Sequence, residues 1–89
     1  MNDKMKVLPM ISEVFSGDLF LNIRENKELF VENYKGLMLY QPDYIMIQGK
    51  QSILHIKGKN LCIKYFNNDD MEICGTIQSI QYTGKEDVL

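Results

Sequence analysis

The fold of this chain is decided by one short phrase that occurs three times, as Ile45-Met46-Ile47-Gln48-Gly49, Leu54-His55-Ile56-Lys57-Gly58 and Met71-Glu72-Ile73-Cys74-Gly75. In each copy hydrophobic residues alternate with other residues, and a glycine ends the run. A period of two places the hydrophobic side chains on one face of a β-strand, and the glycine marks the turn or bulge that ends it. The second half of the chain is therefore predicted to be a series of short strands with tight turns.

The same alternation divides the whole chain into one domain and two ends. Residues 1–17 are predicted to be an irregular or partly helical leader that packs on or beside the domain. Residues 18–82 are predicted to form a single all-β domain, and residues 83–89 a frayed tail. The predicted strands are Asp18–Ile23, Leu29–Glu32, Leu37–Tyr40, Tyr44–Gln48, Ser52–Lys57, Leu61–Phe66, Asp70–Gly75 and Thr76–Tyr82.

The connections between these strands are short and polar. Arg24–Lys27 is predicted to be a turn, and Leu29–Glu32 is predicted to form a hairpin with Leu37–Tyr40. In that hairpin Gly36 is expected to supply a positive φ angle without steric cost.

Short connections favour antiparallel neighbours, so the fold class is predicted to be all-β. The expected architecture is an antiparallel meander of about seven short strands that forms a small sandwich or an open barrel. A strand–turn solenoid is the alternative that the recurring glycines suggest, although the repeat is short and irregular. Few prolines protect the strand edges, so we also expect association through an edge or an apolar face, in a homo-oligomer.

The composition excludes several classes of protein. A chain of 89 residues with 45% hydrophobic residues is typical of one globular domain rather than a disordered segment. A net charge of −2 and scattered lysines argue against a nucleic-acid partner, because such binding needs clustered basic residues. No run has the length of a transmembrane helix or the pattern of a signal peptide. We therefore expect a cytoplasmic protein that does not itself insert into a membrane, and six methionines suggest an adaptable core or contact surface.

The two cysteines are predicted to face each other across a hairpin whose loop is centred on Asn68. This register places Cys62 opposite Cys74 and Lys64 opposite Glu72, and on the other face it pairs Ile63 with Ile73 and Tyr65 with Met71. A redox pair or half of a metal site is one interpretation of the two thiols. The alternative, which we favour, is a pair of reduced and partly buried cysteines, because disulfides are rare in the cytosol.

The remaining polar residues form no pattern that predicts catalysis. His55 alternates with inward-facing Leu54 and Ile56, so it is expected to face solvent, and no residue nearby in the sequence would orient it as a general base. The acidic residues after Asn68 lack the ligand spacing of a calcium loop. The sequence therefore predicts no enzyme, no catalytic residue, no cofactor and no metal site.

Four segments follow one another in an order that resembles a known family. They are Val31–Leu37, Ile45–Ile47, Leu54–Ile63 and Glu72–Tyr82. Their order and spacing are similar to those of the YabP/YqfC family of sporulation proteins from endospore-forming bacteria. The YqfC-like branch, with its IEN-x-KG phrase, is the more similar one, and the likeness covers about residues 29–82.

The resemblance implies a role in building the spore, without enzymatic activity, in the mother cell. Members of the family are often encoded beside a multi-spanning membrane protein, which implies a soluble partner for such a protein. The polar residues that match the family's turn, Glu32 and Asn33, are the candidates for partner contact. The other matching positions are expected to serve turns and the core, and these are Gly36, Gly58, Leu61, Gly75 and Ile77.

Two functions of different classes follow from these expectations. The first is an adaptor that binds an integral membrane sporulation protein through an exposed strand edge or an apolar face. The second is a structural protein that assembles with copies of itself at the surface of the developing spore. A ligand-binding barrel is a third alternative, and it would require an apolar cavity.

Overall fold

The structure is a computed structural model that describes residues 18–84, and the predicted leader therefore lies outside the described residues. Six strands form one antiparallel sheet in the order β1-β2-β6-β5-β4-β3. Their bounds are β1 Phe20–Arg24, β2 Glu28–Glu32, β3 Gly36–Gln41, β4 Tyr44–Gln48, β5 Ser52–Phe66 and β6 Asp70–Gly84.

The predicted all-β antiparallel class is confirmed, with six strands in place of the seven or eight predicted. The number differs because four of the predicted short strands are the halves of β5 and β6, which continue through the expected breaks as bulges. The last strand also runs to Gly84, so the first two residues of the predicted tail belong to β6, and residues 85–89 lie outside the described residues.

Strands β5 and β6 form a long hairpin that is irregular at its middle. The register shifts between Lys57 and Gly58 and again between Lys59 and Cys62. Two residues there adopt positive φ angles, with Asn60 at 55° and Gly75 at 124°. Bulges of this kind bend a strand and increase its twist, so the hairpin bends at Gly58–Leu61 and at the facing residues of β6.

The link between β2 and β3 shows how far the hairpin bends. The Asn33 amide donates to the Asp69 carbonyl at 2.7 Å, and the Lys35 amide donates to the Gln48 carbonyl at 2.7 Å. Gln48 lies at the open end of the hairpin, and Asp69 lies in the turn at its far end. A straight β5 would hold these ends about 40 Å apart, whereas a three-residue link spans only about 10 Å. The hairpin therefore doubles back, and one half of the sheet covers the other.

The hydrophobic core lies between the two halves. β1 and β2 extend the half near the β5–β6 turn, and β3 and β4 extend the half near the open end. Side chains from both halves form one buried cluster, which consists of Leu19, Leu29, Val31, Ile45, Ile47, Leu54, Ile56, Leu61, Met71, Ile73 and Ile77. Most members are at alternating strand positions, as the period of two predicts. The architecture is thus a bent sheet that packs on itself.

The predicted hairpin between the second and third strands is wrong. β2 pairs with β1 and β6, and β3 pairs with β4, so the link between them crosses from one half of the sheet to the other. The positive φ angle belongs to Asn33, at 69°, and not to Gly36. An asparagine tolerates this conformation better than most residues, and here tertiary hydrogen bonds hold it there.

The predicted register of the cysteine hairpin is right at the bend and wrong near the turn. Cys62 pairs with Cys74 and Ile63 with Ile73, but Tyr65 pairs with Glu72 rather than with Met71. A bulge at Lys64 shifts the register by one residue, so Lys64 is not directly opposite Glu72, but the predicted charge pair is present, with Lys64 Nζ 3.7 Å from Glu72 Oε2. The Asn67 side chain accepts hydrogen bonds from the amides of Asp69 and Asp70, at 2.8 and 2.7 Å, and so fixes the turn.

Candidate functional site

Among the strands of residues 18–84, β1 and β3 lie at the two ends of the sheet order, and an end strand can pair with a further strand. β3 has the sequence GLMLYQ, without a charged residue. Three of its side chains are large, hydrophobic and exposed, with 44% of Leu37, 44% of Met38 and 48% of Tyr40 accessible. A register shift between Leu37 and Leu39 leaves Met38 opposite no residue of β4. We call this strand the β3 edge.

Tyr40 connects the β3 edge with the other half of the sheet. Its hydroxyl oxygen accepts a hydrogen bond of 2.9 Å from the Ile63 amide of β5. The turn that follows β3 also meets β5, because the Pro42 carbonyl accepts from the Leu61 amide at 2.7 Å. The β3 edge is therefore held in place at one end by the bend of the long hairpin.

The opposite edge, β1, carries charge as well as hydrophobic side chains. Phe20 and Ile23 are each 47% exposed. Arg24 is the last residue of the strand, and its Nη1 lies 3.6 Å from Oε1 of Glu28. Its guanidinium carbon also lies over the Phe30 ring, 5.3 Å from the ring centroid. Because a charged side chain at a strand edge disfavours pairing with another chain, β1 is the better protected of the two edges.

The two predicted contact residues have different environments. Glu32 is exposed at the end of β2 and lines a depression of about 140 Å³ with Phe20, Leu21, Asn22 and Phe30. Asn33 is half-buried, and its side-chain amide donates a hydrogen bond of 2.9 Å to the Asp18 carbonyl. Asn33 therefore uses its backbone and its side chain to hold the crossover link, which leaves Glu32 as the accessible residue of the pair.

The positions that the resemblance assigned to turns and core lie mainly at the bend. Leu61 and Ile77 are 4% and 7% exposed and belong to the core. A Cβ atom on Gly58 would lie 2.0 Å from the Thr76 carbonyl oxygen, and one on Gly75 would lie 2.5 Å from the Asn60 carbonyl oxygen. Only glycine therefore fits at these two positions. Gly36 differs, because a Cβ atom there would meet nothing within 4 Å.

His55 faces away from the core, as predicted, but it is half-buried and has partners that the sequence did not indicate. Its Nδ1 lies 2.7 Å from the Tyr44 hydroxyl, and its Nε2 lies 2.9 Å from the Thr83 hydroxyl. The Tyr44 and His55 rings stack at 6.1 Å, and Lys57 covers Tyr44 at 5.5 Å. Strand pairing across β4, β5 and β6 brings these residues together. Both ring nitrogens of His55 thus have hydrogen-bond partners, and these residues form a row of polar contacts on the outer face of the sheet.

A surface depression of about 320 Å³ is lined by Asp18, Leu19, Ser52 and Tyr82. There the Ser52 hydroxyl donates to a carboxylate oxygen of Asp18 at 3.0 Å. Burial, followed by the negative charge of Asp18, raises the pKa of Tyr82. Within residues 18–84, no three or more His, Cys, Asp or Glu side chains are grouped so that they could hold a metal ion.

The geometry defines a class of protein, namely an all-β domain built on a long hairpin that doubles back on itself. The chain belongs to the YabP family, because residues 18–88 match the model of that family. This match confirms the resemblance that the sequence motifs indicated. In the part of the chain that the structure describes, no helix is long and apolar enough to cross a membrane.

A relative with a similar sequence is the uncharacterized protein YqfC of Bacillus subtilis (strain 168). The two sequences are 32% identical over 54 residues, a stretch that covers 61% of this chain and 58% of the relative. The chain thus matches less than two-thirds of the length of the relative. No solved structure matches this chain.

Proposed function

We propose that this protein is a non-enzymatic sporulation adaptor that binds a membrane-embedded sporulation protein from the cytoplasm of the mother cell. The partner contributes an extended and mostly uncharged segment, which adds to the sheet as a further strand. Main-chain hydrogen bonds supply affinity in this kind of recognition, and alternate side chains supply specificity. The adaptor needs no catalytic group, cofactor, nucleic acid or membrane-inserted segment of its own.

The exposed and uncharged β3 edge carries this proposal. Six residues without charge, three of them large and exposed, form a surface that favours pairing with another chain. The hydrogen bond between Tyr40 and the bend holds part of this strand rigid before any partner arrives. Rigid preorganisation lowers the entropic cost of binding.

Self-assembly into a layer at the surface of the developing spore is the second candidate. It is favoured by the presence of two edges, β1 and β3, at opposite ends of one sheet. Pairing of the β1 edge of one copy with the β3 edge of the next would be a head-to-tail contact, which generates open filaments or layers.

The adaptor function predicts recovery of one integral membrane protein when a tagged full-length chain is isolated from detergent-solubilised membranes of sporulating cells. Mass spectrometry should identify this protein in an amount close to that of the bait. Met38→Lys should reduce its recovery at least tenfold, because a charged side chain on the β3 edge opposes burial of that edge. Gln78→Lys is the matched control, since it adds the same charge at an exposed position of β6, outside the β3 edge and outside the depression beside Glu32, and it should leave recovery unchanged.

Two outcomes would contradict the adaptor proposal. Equal recovery of the membrane protein by Met38→Lys and by the unmodified chain would exclude the β3 edge as the contact. A bait that is recovered only with further copies of itself would favour self-assembly. In that case light scattering of the pure protein should show a mass that increases with concentration.

A further inference from the structure

Cys62 and Cys74 lie directly opposite each other on β5 and β6, next to the bend of the long hairpin. The amides on either side of Cys62, those of Leu61 and Ile63, donate to Pro42 and Tyr40, away from β6. The backbone of Cys62 therefore faces Cys74. In an antiparallel pair whose two residues hydrogen-bond to each other through the backbone, the Cα atoms are about 5.5 Å apart. This separation is the one most often found in disulfides.

Neither cysteine is in a disulfide, and both can be reached from solvent; the Cys62 thiol donates a hydrogen bond of 3.7 Å to the Ile63 carbonyl. Cys62 is exposed, and Cys74 is half-buried at the wall of an open depression of about 530 Å³. Arg24, Glu25, Lys27 and Glu28 form the rest of that wall. A small hydrophilic oxidant can therefore reach the pair without local unfolding.

We propose that Cys62 and Cys74 form a modification site for hydroperoxides, at which oxidation closes an intramolecular disulfide across the hairpin. The Cys62 thiolate attacks one oxygen of the peroxide, the O–O bond breaks, and Cys62 becomes a sulfenic acid while water or an alcohol leaves. The Cys74 thiol then attacks the sulfenic sulfur and releases water. One peroxide is reduced by two electrons, and two thiols are oxidised to one disulfide.

The environments of the two thiols support this order of events. Burial raises the pKa of Cys74, and the adjacent Cys62 thiol raises it further, so Cys74 is the poorer first nucleophile. Lys64 opposes these effects at Cys74, and Glu72 adds to them. Cys62 is the more exposed thiol, and thus the one that meets the oxidant first.

The disulfide would join β5 and β6 at Cys74, which directly precedes Gly75, the residue of the bend with a positive φ angle. It would constrain the unfolded chain more than the folded one, and so stabilise the hairpin. Oxidation would in this way make the bend of the sheet more rigid.

The experiment treats the purified, reduced full-length chain with a small excess of hydrogen peroxide. We expect a monomer whose mass decreases by two hydrogen atoms, no free thiol, a tryptic peptide pair linked through Cys62 and Cys74, and a raised urea midpoint that dithiothreitol reverses. Cys62→Ser should slow the loss of the Cys74 thiol at least tenfold, whereas Cys74→Ser should leave Cys62 as a trapped sulfenic acid.

The proposal would be overturned by oxidised chains that are linked to one another, or by thiols that each gain oxygen independently. It would also fail if Cys62→Ser lost its remaining thiol at the rate of the unmodified chain. Far-ultraviolet circular dichroism verifies that both serine variants are folded. Neither result bears on the adaptor function, because the cysteines lie outside the β3 edge.

Discussion

Ionisation of Tyr82 is coupled to folding, because the folded chain buries part of its ring beside Asp18. Both the burial and the negative carboxylate disfavour the phenolate and raise the pKa of Tyr82 above its value in the unfolded chain. Below the pKa that Tyr82 has in the unfolded chain, the folded and the unfolded chain both hold the phenol proton, and the contribution of Tyr82 to the free energy of unfolding is fully present. Between the unfolded and folded values the unfolded chain binds fewer protons, so the free energy of unfolding falls as the pH rises.

Urea midpoints measured from about pH 8 to pH 11 should therefore decline more steeply for the unmodified chain than for Tyr82→Phe. Asp18→Asn should give an intermediate slope, because it removes the second of the two causes. Tyr65→Phe, in the other half of the sheet, is the control and should keep the full decline. A Tyr82→Phe variant with the same slope as the unmodified chain would exclude this residue as the source.

Individual residues differ in how much the sequence reveals about them. Gly58 and Gly75 ended hydrophobic phrases, and this position correctly indicated turns or bulges. Asn33 carried no such signal, because its positive φ angle depends on hydrogen bonds to Asp69 and Asp18 from distant parts of the chain. The partners of His55 were invisible for the same reason, since strand pairing brings Tyr44 and Thr83 to it.

Among the elements, the β5–β6 hairpin determines the shape of the sheet. Its alternation of hydrophobic residues changes phase at the bulges, from Leu54 and Ile56 in the first half of β5 to Leu61 and Ile63 in the second. Local patterns therefore identified each half as a strand but divided the element in two. A bulge and a turn have similar sequence signatures, and only the pairing with a neighbouring strand distinguishes them.

Gly75→Ala should destabilise the hairpin at its bend. The φ angle of 124° is nearly exclusive to glycine and costs another residue about 1–3 kcal/mol, and the new Cβ atom would also overlap Asn60. The expected loss is therefore about 2 kcal/mol or more in the free energy of unfolding, measured by urea denaturation. Gly36→Ala is the matched control at a glycine with open space around it, and its effect should be within about 1 kcal/mol of zero. A larger loss for Gly36→Ala than for Gly75→Ala would contradict this account of the bend.

At the scale of the whole molecule, the decisive event is the packing of the sheet on itself. The all-β class and a sandwich-like core could be predicted, because alternating strands with one hydrophobic face must cover that face. The actual pairing could not, because β2 pairs with β6 across most of the chain and no local pattern specifies such a partner. The predicted hairpin between β2 and β3 does not form, because these neighbours in the chain pair with β6 and β4 instead.

Tyr40→Phe tests the contact between the two halves of the sheet. The substitution keeps the ring and removes the acceptor of the Ile63 amide, which should cost about 0.5–1.5 kcal/mol in the free energy of unfolding. Amide hydrogen exchange at Ile63 should become faster, while exchange at Ile73 in the same pair of strands should change only by the global loss of stability. Unchanged protection at Ile63 would show that this hydrogen bond does not hold the halves together.

The pairing of β2 with β6 also sets a condition on how the chain can fold as it leaves the ribosome. The β1–β2 hairpin is made first, and an isolated two-stranded hairpin is at best marginally stable in water. Its docking residues, Asp70–Cys74, are made only after β3, β4 and β5. Until β6 has been synthesised, Leu29 and Val31 lack the strand beside which they pack. The sheet can thus be completed only once β6 is made, and a chain that stops before Asp70 leaves the β1–β2 hairpin without its partner strand.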